Sequence, residues 1–345
     1  MSHVCRHWRE IALNQPLFWS HLCFTNFSLA GAGEMLARAK MAPLHLEARD
    51  LGYWNDAQFS AFQKQIRMHA SHISHLHISA DFDRFSGVVK GLVSPVPILE
   101  YLSLFCTGIP NRAISSGVSI TDTVFDGTAP GLSYLKLRKC NISWKSPLLK
   151  GLKYLEMHYP SASGRPSVSV WLDALDAMPQ LQILILHHAS PIALPSPPPS
   201  GIKHTITLPS LSVLVFSASA RDCGLALTHL ILPALTRLCL TARSELRDGS
   251  DVKGILPYIS QHAHVFHNTQ SISIDSEEIT TLSTSILAWA KVRLPKPVAF
   301  PDVMPLWISP SRAITGPLRP TRRSLMQRWQ LFPWKTSGRL PPKPA

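Results

Sequence analysis

The 345 residues are 45% hydrophobic, enough for a sizeable core, yet no apolar run is long enough to span a membrane and the opening MSHVCRHWRE is too charged for a secretion signal. The net charge of +13 sits mainly in the tail: eleven basic residues from Lys291 onward face one acid, Asp302, leaving +3 for the first 290 residues, which excludes the footprint of a specific nucleic-acid binder. Six cysteines without a CxxC pair read as reduced thiols of a cytoplasmic or nuclear protein.

In chain order, the spacing of Val4, Trp8 and Ile11 predicts a short helix over 2–13, ended by Asn14-Gln15-Pro16. Leu17, Phe18 and Trp19 follow as an apolar anchor. A second helix is expected over Glu34–Lys40 and a strand over Pro43–Leu46. A third helix, about Ala57–His69, would bury Phe59, Phe62 and Ile66.

From Ile73 a phrase recurs: an apolar residue, two residues, a leucine, one residue, another apolar residue. It reads Ile73-Leu76-Ile78, Leu99-Leu102-Leu104, Leu132-Leu135-Leu137, Leu152-Leu155-Met157, Leu181-Leu184-Leu186, Leu211-Leu214-Phe216 and Leu235-Leu238-Leu240. The starts step by 26, 33, 20, 29, 30 and 24 residues, mostly within or near the period of leucine-rich repeats. One copy extends to Cys140 and Ile142, the cysteine being expected to turn the chain off its strand. The frame predicts an α/β fold: a leucine-rich-repeat solenoid with one parallel sheet. Insertions interrupt it, one helical (Trp171, Leu172, Leu175, Met178) and one proline-rich, SPPPS at 196–200. A helix near Val252–Ile259 and a last strand at Ser271–Ile274 would close it.

Residues 291–345 hold eleven of the 29 prolines and no apolar period, so they are expected to form a disordered basic tail. The resulting division is 1–22, a helical remnant; 23–70, a helical linker and cap; 71–290, the repeats; and 291–345, the tail.

Side chains alternate along a strand, so positions 1, 4 and 6 of the phrase face the core and positions 3 and 5 face away, onto the concave side of a solenoid. Position 3 supplies His75, Tyr101, Tyr134 and Tyr154; position 5 supplies His77, Lys136 and Glu156. These seven are the candidate substrate-binding residues, because tyrosine offers rigid apolar area with a polar tip. Ile183, Ile185, Val213 and Val215 make the later half of that side apolar, and an apolar patch is expected to be covered by a partner or by the chain itself.

No catalytic constellation is present. There is no GxSxG, HExxH, Walker or kinase phrase, and the GAG at 31–33 lacks the rest of a nucleotide fingerprint. His69, His72, His75 and His77 lack a convergent cysteine or carboxylate, and His262, His264 and His267 read as a loop, so neither metal nor cofactor is expected.

The phrase Val4-Cys5-Arg6-His7-Trp8-Arg9-Glu10-Ile11, followed by Pro16-Leu17-Phe18-Trp19, resembles the second half of an F-box. With APLHLEA, WLDALDAMPQLQILIL and LPSLSVL, residues 1–275 resemble the fungal F-box proteins with leucine-rich repeats. The resemblance implies a substrate-recognition subunit of an SCF-type cullin–RING ubiquitin ligase, not itself an enzyme. Its repeats would hold an unknown protein substrate. Val4, Cys5, Trp8, Ile11, Leu17 and Trp19 would be what remains of the contact with a Skp-type adaptor. The Leu-Pro-x-Glu helix that opens the family's motif does not occur in these residues. The same side chains could therefore serve as core that caps the first repeat, leaving an adaptor-independent scaffold or a ligase-incompetent product.

Overall fold

The computed structural model describes residues 5–26, 28–107, 117–192 and 205–243, together with Ile255 and Tyr258. The chain divides into two units, Met1–Arg293 and Leu294–Ala345, and the described residues all belong to the first. The expected tail, the SPPPS excursion, the strand at Ser271–Ile274, the His262–His267 loop and most of the helix near Val252–Ile259 lie outside them.

The elements in chain order are α1 (Arg6–Asn14), β1 (His21–Cys23), α2 (Leu29–Ala39), β2 (Leu44–Ala48), α3 (Asp56–His69), β3 (Ile73–Ala80), α4 (Phe82–Gly91), β4 (Tyr101–Cys106) and β5 (Val118–Ile120). They continue as β6 (Tyr134–Arg138), β7 (Cys140–Ile142), β8 (Tyr154–His158), α5 (Val168–Asp176), β9 (Ile183–His187), β10 (Ile206–Thr207), β11 (Val213–Ser219), α6 (Ala220–Thr228), β12 (Leu230–Ile231) and β13 (Arg237–Arg243). The fold is mixed α/β. Nine strands form one parallel sheet in the order β1-β2-β3-β4-β6-β8-β9-β11-β13, so spatial order follows chain order throughout. Two further parallel pairs, β5 with β7 and β10 with β12, form beside it.

The leucine frame sets the register. Leu76, Leu102, Leu135, Leu155, Leu184, Leu214 and Leu238 are successive partners across seven strands. Their side chains are at most 1% exposed, and the residues two further on, from Ile78 to Leu240, are equally buried. Each such leucine removed from water contributes about 1.5–3 kcal/mol. A row of identical positions stacked at the strand spacing makes one continuous core, with each strand burying its neighbour's flank.

The rungs are joined at both ends by backbone bonds. The carbonyl of Ser133 accepts from Lys153 and Tyr154, that of Lys153 from Gln182 and Ile183, and that of Gln182 from Ser212 and Val213. At the far end Lys139, Tyr159 and His188 take left-handed backbone, with φ of 54°, 51° and 53°. Their amides donate to the carbonyls of His158, His187 and Ser217 on the next strand. This corner recurs one residue after the strand, and its occupants are lysine, tyrosine and histidine, not the glycine that favours such φ.

Side-chain caps start the helices. Asn55 and Gln58 form a reciprocal capping box on α3, while Ser28, Asp81, Ser167 and Ser219 accept from amides two or three residues into α2, α4, α5 and α6. Helix α2 begins five residues before the expected Glu34, because the Ser28 cap outweighs the cost of Gly31 and Gly33 in its first turns. Helices α4 and α6 were not expected; their caps are Asp81, directly after β3, and Ser219, the last residue of β11. Nor does the sheet begin at Ile73: β1 and β2 already belong to it, pairing Leu22 with Leu46 and Leu46 with Leu76.

The N-terminal helix departs from one of its two expected roles. No residue of α1 is buried, and Trp8 is 63% exposed, with Ile11, Leu17 and Phe18 also exposed. These side chains do not pack as a cap on the first repeat. Of the described residues expected to contact an adaptor, Trp19 is the one in the core: its indole N–H donates to the Ala12 carbonyl at 2.8 Å, and the Arg38 guanidinium lies over its ring.

Candidate functional site

Because strand side chains alternate, the face of the sheet opposite the leucine core carries three rows of side chains. The first row begins with His21, His45, His75 and Tyr101 on β1 to β4, all at one register. Ring centroids are 4.1 Å apart for His21–His45, 3.8 Å for His45–His75 and 5.7 Å for His75–Tyr101. The strand spacing of about 4.8 Å dictates such stacking when flat rings occupy one row. Tyr134 and Tyr154 form the next stacked pair, at 5.7 Å, and Ile183, Val213 and Arg237 complete the row.

The second row holds the charges. His77 Nδ1 lies 2.9 Å from the hydroxyl of Ser103, which is fully buried. Glu156 is buried as well. Its carboxylate accepts from Tyr154 Oη and from His158 Nε2 at 2.7 Å, and Lys136 Nζ lies 3.2 Å away. The same ammonium sits 5.2 Å from the centre of the Tyr154 ring. Burial by itself would raise the Glu156 pKa, but the hydrogen bonds from His158 and Tyr154 and the Lys136 charge outweigh it and hold the carboxyl down at about 2. Burial and the adjacent Glu156 charge push the Tyr154 phenol well above its ordinary value.

In the third row Phe105 packs edge-on against His77, Arg138 is exposed, and His158 stacks on His187 at 4.4 Å. Burial, and next the charge His158 would carry, lower the His187 pKa to about 4. Burial lowers His77 in the same direction, with Arg49 and Lys136 adding to it and Glu47 opposing.

All seven expected residues thus lie on one face, but they are not equally available. His75, His77, Tyr101, Tyr134 and Lys136 are half-buried with an accessible side. Tyr154 and Glu156 are 7% exposed, and their polar atoms are spent on each other, His158 and Lys136. Both are therefore held within the face, with their polar groups bonded to neighbouring side chains. Sequence reasoning missed His21, whose strand is three residues long, and His45, which lies in the strand expected at Pro43–Leu46 but ahead of the recurring phrase. It also missed Arg138, His158 and His187, one step past the leucine phrase; the alternation carried two residues further would have found them.

Burial raises the thiol pKa of Cys140 well above its ordinary value, that of Cys223 to about 12, and that of Cys239 on the open face, so none of these is an activated nucleophile. Among the described residues no three His, Cys, Asp or Glu side chains converge to hold a metal ion, and no described helix is long and apolar enough to cross a membrane. Of the remnant residues, Val4 lies outside the described residues, Cys5, Trp8, Ile11 and Leu17 are exposed, and Trp19 is buried. Compared with models of known families, with curated proteins and with solved structures, the chain matches no family model, no curated protein and no solved structure.

Proposed function

We propose that the chain is a protein-recognition subunit, a leucine-rich-repeat solenoid that selects substrate for an SCF-type cullin–RING ubiquitin ligase in the cytoplasm or nucleus. One observation carries the reading. Nine parallel strands follow chain order in a single leucine register, and the face opposite the core carries aromatic, imidazole and charged side chains, with aliphatic ones on β9 and β11. Such a face binds by area and shape, and the ubiquitin chemistry belongs to partner subunits.

The exposed group of Trp8, Ile11, Leu17 and Phe18 supports the adaptor half of the reading. Large apolar side chains left in water on a short helix and its following turn are costly unless a partner covers them. The test is a calorimetric titration of a purified Skp-type adaptor into the full chain and into a Trp8→Ala, Leu17→Ala variant. Saturable binding by the chain, weakened at least about tenfold in the variant, is the expected result. Absence of binding by the chain overturns the ligase reading and leaves an adaptor-independent scaffold.

A further inference from the structure

The charged groups of the open face are not balanced. Its two described carboxylates are both engaged: Glu47 with Arg49 at 2.5 Å, and Glu156 with Lys136, His158 and Tyr154. Two of its cations are exposed and form no ion pair among the described residues, Arg138 at the end of β6 and Arg237 at the start of β13. Between them, β9 and β11 present Ile183, Ile185, Val213 and Val215, all half-buried.

From these positions we infer that the open face takes an extended peptide with acidic residues flanking an apolar centre. The inference rests on the reading of this face as a protein-binding surface and adds the chemistry of what it binds. Arg138 and Arg237 stand four strands apart in the sheet order, about 19 Å at the usual strand spacing, and four residues apart along the strands, about 13 Å. The diagonal of about 23 Å is the length of about seven extended residues. Carboxylates at the two ends would each meet one guanidinium fork, while side chains in the middle cover the isoleucines and valines. Two separated single arginines suit carboxylates better than phosphates, which call for clustered cations. The apolar stretch between them likewise favours a peptide over a nucleic-acid backbone.

The test is fluorescence anisotropy on the full chain with three labelled probes. One peptide of about nine residues has leucines at its centre and glutamates at both ends. A second replaces the glutamates by lysines, and the third probe is a single-stranded oligouridine. The glutamate probe should bind most tightly, and more weakly as salt rises. The double variant Arg138→Glu, Arg237→Glu should lose at least about tenfold toward it and gain affinity for the lysine probe. Both side chains are exposed, so an unchanged melting temperature is the folding control. Preference for the lysine probe, preference for the oligouridine, or indifference of the glutamate probe to the double variant each overturns the inference. Saturable binding of the lysine probe leaves the protein-binding reading standing, whereas binding of no probe overturns both.

Discussion

His158 and His187 stack across β8 and β9 with ring centroids 4.4 Å apart and planes 17° from parallel. Protons on both rings would place two cations in contact on a half-buried face. Burial, and then His158, hold the folded His187 pKa near 4, against 6.5 as its ordinary value. Between those values the unfolded chain binds a proton that the folded chain refuses, so stability falls as pH is lowered through that window. Urea midpoints measured from about neutral pH down to about 4.5 should therefore fall less in a His187→Gln variant than in the parent. Equal slopes would show that the stacked pair does not govern this range.

Glu156 acts in a lower window. Its folded pKa of about 2 lies below its ordinary 4.5, so the stabilisation it contributes is complete above the latter and is lost as pH falls toward the former. Glu156→Gln should remove this second acid step and, because the Glu156 charge favours protonation of His187, should not diminish the His187 step. The substitution should also cost about 1–3 kcal/mol at neutral pH, since Lys136 and His158 lose the buried charge and one of its two acceptor oxygens. A parent and variant with superimposable acid unfolding below about pH 4.5 would contradict it.

Leu135 is fully buried between Leu102 and Leu155 in the central rungs of the sheet. Leu135→Ala should cost about 2–5 kcal/mol in chemical denaturation, the loss of transfer energy plus the cavity left behind. Arg138→Ala, three residues on and exposed, should stay within about 0.5 kcal/mol. Similar costs at both positions would mean that the leucine row is not the core.

Trp19 and Trp8 belong to one sequence phrase and to different environments. Trp19→Ala should destabilise by about 3–5 kcal/mol, because a buried indole and its hydrogen bond to Ala12 are lost. Trp8→Ala should leave the melting temperature within error, its side chain being 63% exposed. A large thermal loss on Trp8→Ala would mean that α1 is held to the core by contacts it does not make here.

The leucine phrase was legible in the sequence because it needs little context. Seven copies of one alternating pattern can bury their apolar positions together only by lining up strand on strand, and Leu76 to Leu238 do so. The open face was legible for the same reason, since alternation puts His75, Tyr101 and Tyr134 opposite the leucines wherever the strands lie. What lay beyond local pattern needed the tertiary structure. Strand β1 is three residues long, too short to announce itself, and is recognised as a strand by pairing with β2, while the strand expected at Pro43–Leu46 is tied to the leucine frame by the pairing of β2 with β3. Lys139, Tyr159 and His188 take left-handed corners that no lysine, tyrosine or histidine signals, because the next strand's carbonyl rewards the turn. The exposure of Trp8 and the burial of Glu156 were decided the same way. A tryptophan's spacing says that it can pack but not whether anything meets it, and a glutamate on an outward row is buried only when Tyr154 and His158 of its own strand and Lys136 of the neighbouring β6 converge to satisfy it. Periodicity determines which side of an element a residue occupies; the partners brought by distant segments determine what that side costs and what it can do.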